Sequence, residues 1–170
     1  MSALAQIKAL YAYNEWADGH VMDAAAQLTD DQYARDLGAS YGSVRGNLSH
    51  IVGAQTMWLA RFNASGSNSL PKIDGDLAAI RRLSADVHTG LSDLLAFMGE
   101  HDLSRVLSYV DTQGNAQQHE LGPALLHLVN HGTHHRAEAA LLLTSLGHAP
   151  RQLDYLFFEL ERAGGPPRLT

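Results

Sequence analysis

The chain has 170 residues, of which 45% are hydrophobic and 18% charged, and this predicts one folded domain over residues 1–170 rather than a disordered chain. The formal net charge of −6 argues against nucleic-acid and membrane partners, and no apolar run approaches the roughly 20 residues of a bilayer span. The lack of cysteine excludes disulfides and thiolate ligands, and since no export signal is recognised, the expected location is the cytoplasm.

The first predicted helix covers about residues 3–28. Its apolar side chains recur at helical spacing, but Asn14 and Asp18 interrupt the apolar stripe. This interruption predicts a polar feature that faces the interior. The turn-forming residues 29–31 are expected to end the helix.

The second predicted helix covers residues 43–62, with Ser43 as its N-cap and His50 at the border of its apolar stripe. A lone histidine in such a position is more typical of a hydrogen-bonded residue at the edge of the core than of a metal ligand. Small polar residues over 64–69 predict a flexible loop, and a third helix is predicted to start after Asp74.

The C-terminal part of the chain begins with a predicted β-hairpin over residues 105–119. A fourth helix is predicted from Pro123, a favourable first-turn residue, to just before Gly147, a favourable C-cap. A short last helix is expected over residues 152–163, followed by a loose tail at 164–167.

These elements predict an all-α fold, a four-helix bundle with a short hairpin insertion and a short C-terminal helix. The loop at residues 65–71 and the hairpin are the connections long enough for a crossover between distant helices.

Four of the ten histidines lie within nine residues, at positions 127, 131, 134 and 135. On a helix, residues four apart share one face, so His131 can pair with either His127 or His135 to bind one cation. Spacing leaves that choice open. The alternative interpretation is a solvated histidine-rich face, which is less typical of an otherwise apolar helix.

Two histidines on one helix form only part of a metal site, because an open site of the catalytic type uses three protein ligands. His50 is the best candidate for the third ligand once the cluster is considered with it. Imidazole suits Zn, Ni, Cu and Fe, so the ligands alone do not select the ion. Glu138 returns to nearly the same face as His131, where it can orient a ligand, act as a base, or serve only as a solvated charge.

Three segments of the sequence resemble the motifs of a known protein family. The segments that carry the resemblance are Tyr-Asn-Glu-Trp-Ala-Asp at 13–18, Leu-Ser-His-Ile at 48–51, and Asn-His-Gly-Thr-His-His-Arg at 130–136, with Gly147 and Pro150 after them. They are similar to the motifs of the DinB-like family, in the DinB/YfiT superfamily of proposed metalloenzymes. The similarity runs in order along nearly the whole chain.

The resemblance implies an up-down-down-up bundle, usually a homodimer, that binds a divalent metal, often nickel or zinc. It assigns His50, His131 and His135 as the three metal ligands, and it leaves His127 and His134 as neighbours of the site. The family commonly has glutamine at the position of Glu138, so a carboxylate there is a departure that changes the local charge.

The leading functional hypothesis is a metal-dependent enzyme that activates a thiol or a water molecule. The resemblance favours thiol transfer, because some superfamily members resemble S-transferases that use low-molecular-weight thiols such as bacillithiol or mycothiol. Glu138 is the candidate catalytic residue. The alternatives are a dimeric metal or small-molecule binding protein of a stress response, without turnover, and a bundle in which the metal is only structural.

Overall fold

The computed structural model describes residues 1–64 and 69–164. Within these residues the elements are, in chain order, α1 (Ala3–Ala25), α2 (Asp30–Ala34), α3 (Val44–Phe62), α4 (Leu77–Ala96), a 3-10 helix (Glu100–Ser104), β1 (Val106–Val110), β2 (Ala116–Glu120), α5 (Leu121–Ser145) and α6 (Tyr155–Arg162). The predicted loop residues 65–68 and the tail residues from 165 onward lie outside the described residues.

The four long helices form a bundle in which α1 and α3 each pack against both α4 and α5. The side-chain contacts that fix the helix directions are Tyr11–Leu125 and Asn14–Arg136 for α1 with α5, His50–His135 and Trp58–His127 for α3 with α5, and Asp18–His88 and Asp23–Arg81 for α1 with α4. Helices α1 and α5 therefore run parallel, while α3 and α4 run opposite to them. The predicted up-down-down-up bundle is confirmed.

Because α3 and α4 run in the same direction, the chain must return along the bundle between them. Leu70, Pro71 and Ile73 do this by packing beside Gly53 in the middle of α3. The connection between α4 and α5, which run in opposite directions, contains the antiparallel hairpin, in which Val106 pairs with Glu120 and Val110 with Ala116. The crossover after α3 and the hairpin both lie where the sequence predicted them.

A layer of polar side chains separates the two larger apolar clusters of the core, one around Leu125 and Phe62 and the other around Leu48 and Leu143; a third, smaller cluster contains Phe158 of α6. The centre of the layer is the Asp18 carboxylate on α1, which is 2% exposed as a residue. It accepts hydrogen bonds from Arg136 at 2.9 Å, Gln55 at 2.7 Å and His88 at 2.9 Å. One carboxylate thus joins all four helices of the bundle, as the interrupted stripe of the first helix predicted.

Most helix ends in the structure lie where the local sequence signals predicted them. The Ser43 side chain accepts a hydrogen bond from the Gly46 amide, and Gly147 ends α5 with a φ of +85°. The prediction that residues 29–31 are only a turn was wrong, because Thr29 forms a capping box with Gln32 and starts α2. Helix α1 accordingly ends at Ala25.

Helix α6 packs on the outer side of α1. Phe158 contacts the rings of Tyr13 and Trp16, and the Trp16 indole donates a hydrogen bond of 2.8 Å to Glu161. Tyr13 and Trp16 therefore act as packing residues. None of the described helices combines the length and apolar content that crossing a membrane requires.

Candidate metal centre

His50 of α3 meets His131 and His135 of α5 at the surface between the two helices. One ring nitrogen from each of the three lies within 4.8 Å of the others. The Nε2 atoms of His50 and His131 are 3.1 Å apart, and the His135 ring centroid is 4.4 Å from both other rings. The antiparallel packing of α3 and α5 thus brings His50 of α3 next to the pair of histidines on α5.

A tyrosine from the loop before α3 covers this cluster. The Tyr41 ring stacks on His50 with centroids 3.8 Å apart and an interplanar angle of 15°, and its edge meets His135 at 5.3 Å. Tyr41 itself is 40% exposed, so it separates the imidazoles from solvent on one side only.

The loop can lie this close to α3 because position 46 is glycine. A Cβ atom there would be 1.9 Å from the Tyr41 carbonyl oxygen, a distance that no structure accommodates. Gly42, with a φ of +72°, supplies the left-handed conformation that turns the chain into Ser43 and α3. These two glycines explain why Tyr41 reaches His50.

Glu138 lies one turn after His135 and connects it to the same loop. Its carboxylate accepts hydrogen bonds from the Ser40 amide, at 2.7 Å, and from the Ser40 hydroxyl. One of its oxygens is 3.6 Å from Nδ1 of His135, slightly longer than a hydrogen bond. The hydrogen bonds from Ser40 hold the pKa of Glu138 below its ordinary value. The predicted role of Glu138 as a base stays a prediction, while its geometry suits the orientation of His135.

The three imidazoles are neutral at pH 7. Burial, with repulsion from neighbouring histidines, lowers the pKa of His50 to about 4 and that of His131 to about 3. Burial and His134 also lower the pKa of His135, although Glu138 opposes this shift. A neutral imidazole has a free lone pair, so these groups need not lose a proton to bind a cation near neutral pH.

The donor set fits a borderline divalent ion such as zinc or nickel. It is made of nitrogens alone, which suits these ions better than magnesium or calcium. Ligand nitrogens on one ion at about 2.1 Å lie about 3.0–3.4 Å apart, and the nitrogens of His50 and His131 already do. In addition, Nδ1 of His50 and Nδ1 of His135 are buried without a hydrogen-bond partner in the described part of the chain.

The polar layer of the core fixes the rotation of α5 beside the cluster. Arg136, the residue after His135, donates hydrogen bonds to Asp18 and to Asn14, the latter at 2.7 Å. A Cβ atom on Gly132 would be 2.7 Å from the Arg136 guanidinium and 3.5 Å from the Asn14 amide. The glycine in the histidine motif therefore makes room for the arginine that holds the helix in place.

The other two histidines of the motif lie outside the group of three. His127 packs against Trp58, with ring centroids 5.2 Å apart and 6.0 Å from the His131 ring. His134 is exposed and touches only the edge of His135 among these rings. The structure thus groups the three residues that the resemblance assigned, and their role as ligands stays a prediction.

A groove opens beside the cluster, along α3 and β1. Its volume is about 450 Å³, and the two histidines that line it from the cluster are His50 and His131. The lining also includes Trp58, Arg61, Tyr109, Asp111 and His127. A small molecule in this groove would lie next to the histidine cluster.

The fold and the site define a helical bundle with a three-histidine group that can hold a metal ion. Residues 1–167 match the model of the DinB family, and the chain therefore belongs to the DinB family. It is 25% identical over 154 residues to Protein DinB of Bacillus subtilis (strain 168), a match that covers 86% of this chain and 89% of that protein.

Two solved structures have the same fold. A DinB-like protein from Bacillus cereus ATCC 10987 superposes with a TM-score of 0.60 at 19% identity, over 80% of this chain and 89% of its own. A DinB-like protein from Bacillus subtilis gives a TM-score of 0.59 at 17% identity, over 82% and 92% of the two chains.

Sequence reasoning missed Tyr41 and Ser40, which lie in a loop without a periodic pattern. It also missed Arg61, which reads as an ordinary charge near the end of a helix. The Tyr-Gly-Ser sequence at 41–43 indicates a turn and an N-cap, but it does not indicate which residue the Tyr41 ring contacts.

Proposed function

We propose that this protein is a divalent-metal-dependent enzyme whose three-histidine centre activates a thiol or a water molecule, with thiol transfer as the leading reaction. The observation that carries the proposal is the group of three neutral imidazoles within 4.8 Å of one another, beside a groove. Three protein ligands leave a coordination position free, which is typical of catalytic rather than structural sites.

The roles of the chain's own residues follow from their contacts. His50, His131 and His135 would hold the ion, which would supply the Lewis acidity that lowers the pKa of a thiol or water beside it. Glu138 would fix the ring of His135 and offset part of the positive charge. Tyr41 would limit the access of water on the side that it covers.

A binding protein without turnover is the second candidate, and the position of Glu138 favours it. This carboxylate is occupied by Ser40, and no carboxylate of the described residues belongs to the three-histidine group. A protein of this kind would bind a metal and a small molecule, as in a stress response, and would release the molecule unchanged.

We also propose that the protein is a homodimer. The resemblance to the DinB-like family supports this proposal, and the exposed Leu141 of α5 and Leu156 of α6, at 70% and 73% exposure, are candidate interface residues. Light scattering on the purified protein would measure the mass, and a monomer at micromolar concentration would contradict the proposal.

Metal analysis of protein purified without a nickel column tests the site. We expect one divalent ion per chain, and we expect the change His135→Ala to lower metal affinity at least about tenfold, since it removes a ligand. The matched control is His127→Ala, which should keep its metal. Full occupancy in His135→Ala would contradict the ligand set.

Turnover separates the two candidate functions. The metal-loaded and chelated proteins would be screened for transfer of low-molecular-weight thiols to electrophiles and for hydrolysis of esters and amides. Metal-dependent product formation would support the enzyme. Tight binding of a thiol with no product would support the binding protein.

A further inference from the structure

Among the described residues two arginines are buried, and only one of the two has a carboxylate partner there. Arg136 is 2% exposed and pairs with Asp18 at 2.9 Å. Arg61 is 5% exposed, yet in the described ranges no carboxylate lies within 4 Å of its guanidinium. The undescribed residues 65–68 contain no acidic side chain. Burying an unpaired charge lowers the free energy of unfolding. A role in binding an anion would explain why an arginine occupies this position.

The acidic residue that acts on Arg61 at longer range, Asp111, lines the same groove, but its carboxylate is occupied by other partners. Asp111 follows β1, and its carboxylate accepts hydrogen bonds from the amides of Gln113 and Asn115 and from the Gln117 side chain. These bonds hold the turn of the hairpin. Asp111 therefore does not neutralise Arg61 by a direct contact.

Aromatic rings hold the Arg61 guanidinium in a fixed position. Its Cζ atom is 4.8 Å from the ring centroid of Trp58 and 4.4 Å from that of Tyr109. One Nη donates to the Val110 carbonyl oxygen at 3.2 Å, while Nε is buried and has no hydrogen-bond partner in the described chain. The group is thus oriented in advance and retains an unused donor.

Arg61 lines the same groove of about 450 Å³ as His50 and His131. A continuous series of side-chain contacts joins Arg61 to His131, because Arg61 lies over Trp58, and His127 is 5.2 Å from the Trp58 ring and 6.0 Å from the His131 ring. One ligand in this groove can therefore reach both a fixed cation and the three-histidine centre.

We propose that Arg61 determines substrate specificity and that the substrate is a small molecule with a carboxylate group. The carboxylate would pair with Arg61 while the thiol of the same molecule reaches the histidine centre, so this inference rests on the proposed function. A planar guanidinium held against two aromatic rings can form a charge-assisted hydrogen bond with a planar carboxylate.

The test uses the full chain loaded with cobalt(II), whose absorbance reports thiolate coordination. The probes are mercaptohexanoate, mercaptooctanoate and mercaptoundecanoate, each compared with the mercaptoalcohol of the same length. We expect the carboxylate to bind about tenfold more tightly than the alcohol at the best length. The change Arg61→Met should abolish this preference, and Arg61→Lys should leave part of it. The exposed Arg105→Met is the control that should keep it.

Melting temperature separates recognition from a structural role. Arg61→Met removes an unpaired buried charge, so its melting temperature should equal or exceed that of the wild type. A lower melting temperature together with an unchanged carboxylate preference would overturn the proposal. Equal binding of carboxylate and alcohol by the wild type would also overturn it, while still supporting the metal centre because the thiols bind.

A failure of the proposed function has a different signature. If cobalt does not bind, or no thiol changes its spectrum, the three-histidine centre is not a thiol site. The arginine is then tested alone, by the shift in melting temperature that octanoate and octanol produce in the wild type and in Arg61→Met. A larger shift with octanoate in the wild type only would support Arg61 as an anion site, and equal shifts would overturn it.

Discussion

Glu138 contacts both the loop before α3 and His135, one of the three proposed metal ligands. It is bonded to Ser40 and lies 3.6 Å from His135, so its charge acts on a ring that would bind the ion. If it orients that ring, Glu138→Gln should lower metal affinity about tenfold, as changes to such partners do, with little effect on kcat in metal-saturated protein. If it is a base, kcat should fall instead with metal affinity unchanged.

Isothermal titration with zinc and the rate of the metal-saturated variant distinguish these outcomes. The control is Ser40→Ala, which removes one bond to the loop but leaves the carboxylate charge in place. Equal metal affinity and equal kcat in Glu138→Gln would leave Glu138 with neither role.

The depressed histidine pKa values predict how the metal-free protein responds to pH. The pKa values of His50 and His131 are about 4 and about 3 in the folded protein, whereas the unfolded chain has ordinary values near 6.5. Between those limits the unfolded state binds more protons, so stability falls as the pH is lowered from about 6.5 towards 4.

Thermal melts of chelated protein between about pH 7 and pH 5 measure this effect. The His131→Gln variant lacks one of the two groups, so its melting temperature should depend less on pH than that of the wild type. If the melting temperatures of the wild type and the variant depend equally on pH, the lowered pKa of His131 is contradicted.

At the scale of elements, the position of the loop before α3 depends on one close backbone approach to the helix, besides its contacts with Glu138 and His50. A side chain at position 46 would collide with the Tyr41 carbonyl oxygen, and the colliding atom is backbone, which cannot rotate away. Gly46→Ala should therefore displace the loop, separate Tyr41 from His50 and Ser40 from Glu138, and lower metal affinity while the four long helices remain.

Circular dichroism and zinc titration on Gly46→Ala test this expectation. The control is Gly19→Ala in α1, where a Cβ meets nothing within 4 Å and should stabilise the helix by up to about 1 kcal/mol. Unchanged zinc affinity in Gly46→Ala would show that the loop has no part in the site.

The elements also show where sequence reasoning succeeds. The long helices, Ser43 as N-cap, Gly147 as C-cap and the hairpin were predicted correctly, because periodicity and end signals are local properties. The pairing of His131 with His135 was not decidable from spacing, since it depends on where α3 packs along α5. Tyr41 and Arg61 were beyond sequence reasoning for the same reason, because their roles arise from contacts between distant segments.

At the scale of the whole molecule, the Asp18 carboxylate is the point where the four helices meet. Burial alone would raise its pKa, but Arg136 and His88 more than compensate and hold the pKa below the ordinary value. A carboxylate with a lowered pKa stabilises the fold above its unfolded-state pKa near 3.9, and this contribution is lost as the pH falls through the folded-state value.

Replacing Asp18 should strongly lower the free energy of unfolding. Asp18→Asn leaves the Arg136 charge buried without its partner, and such changes cost about 3 kcal/mol or more. Urea unfolding measures the difference. The control is Asp23→Asn on the same helix, whose side chain is 64% exposed and whose bond to Arg81 should be worth at most about 1 kcal/mol. Similar losses in both variants would contradict the central role of Asp18.

The positions of the two tryptophans give this protein two separate optical reporters. Trp16 touches α6 through Phe158 and Glu161 and does not line the groove, whereas Trp58 lines it beside Arg61 and His127. Replacing either one with phenylalanine leaves a single indole. The emission of Trp58 would then follow ligands entering the groove, and that of Trp16 would follow detachment of the C-terminal helix, without any added label.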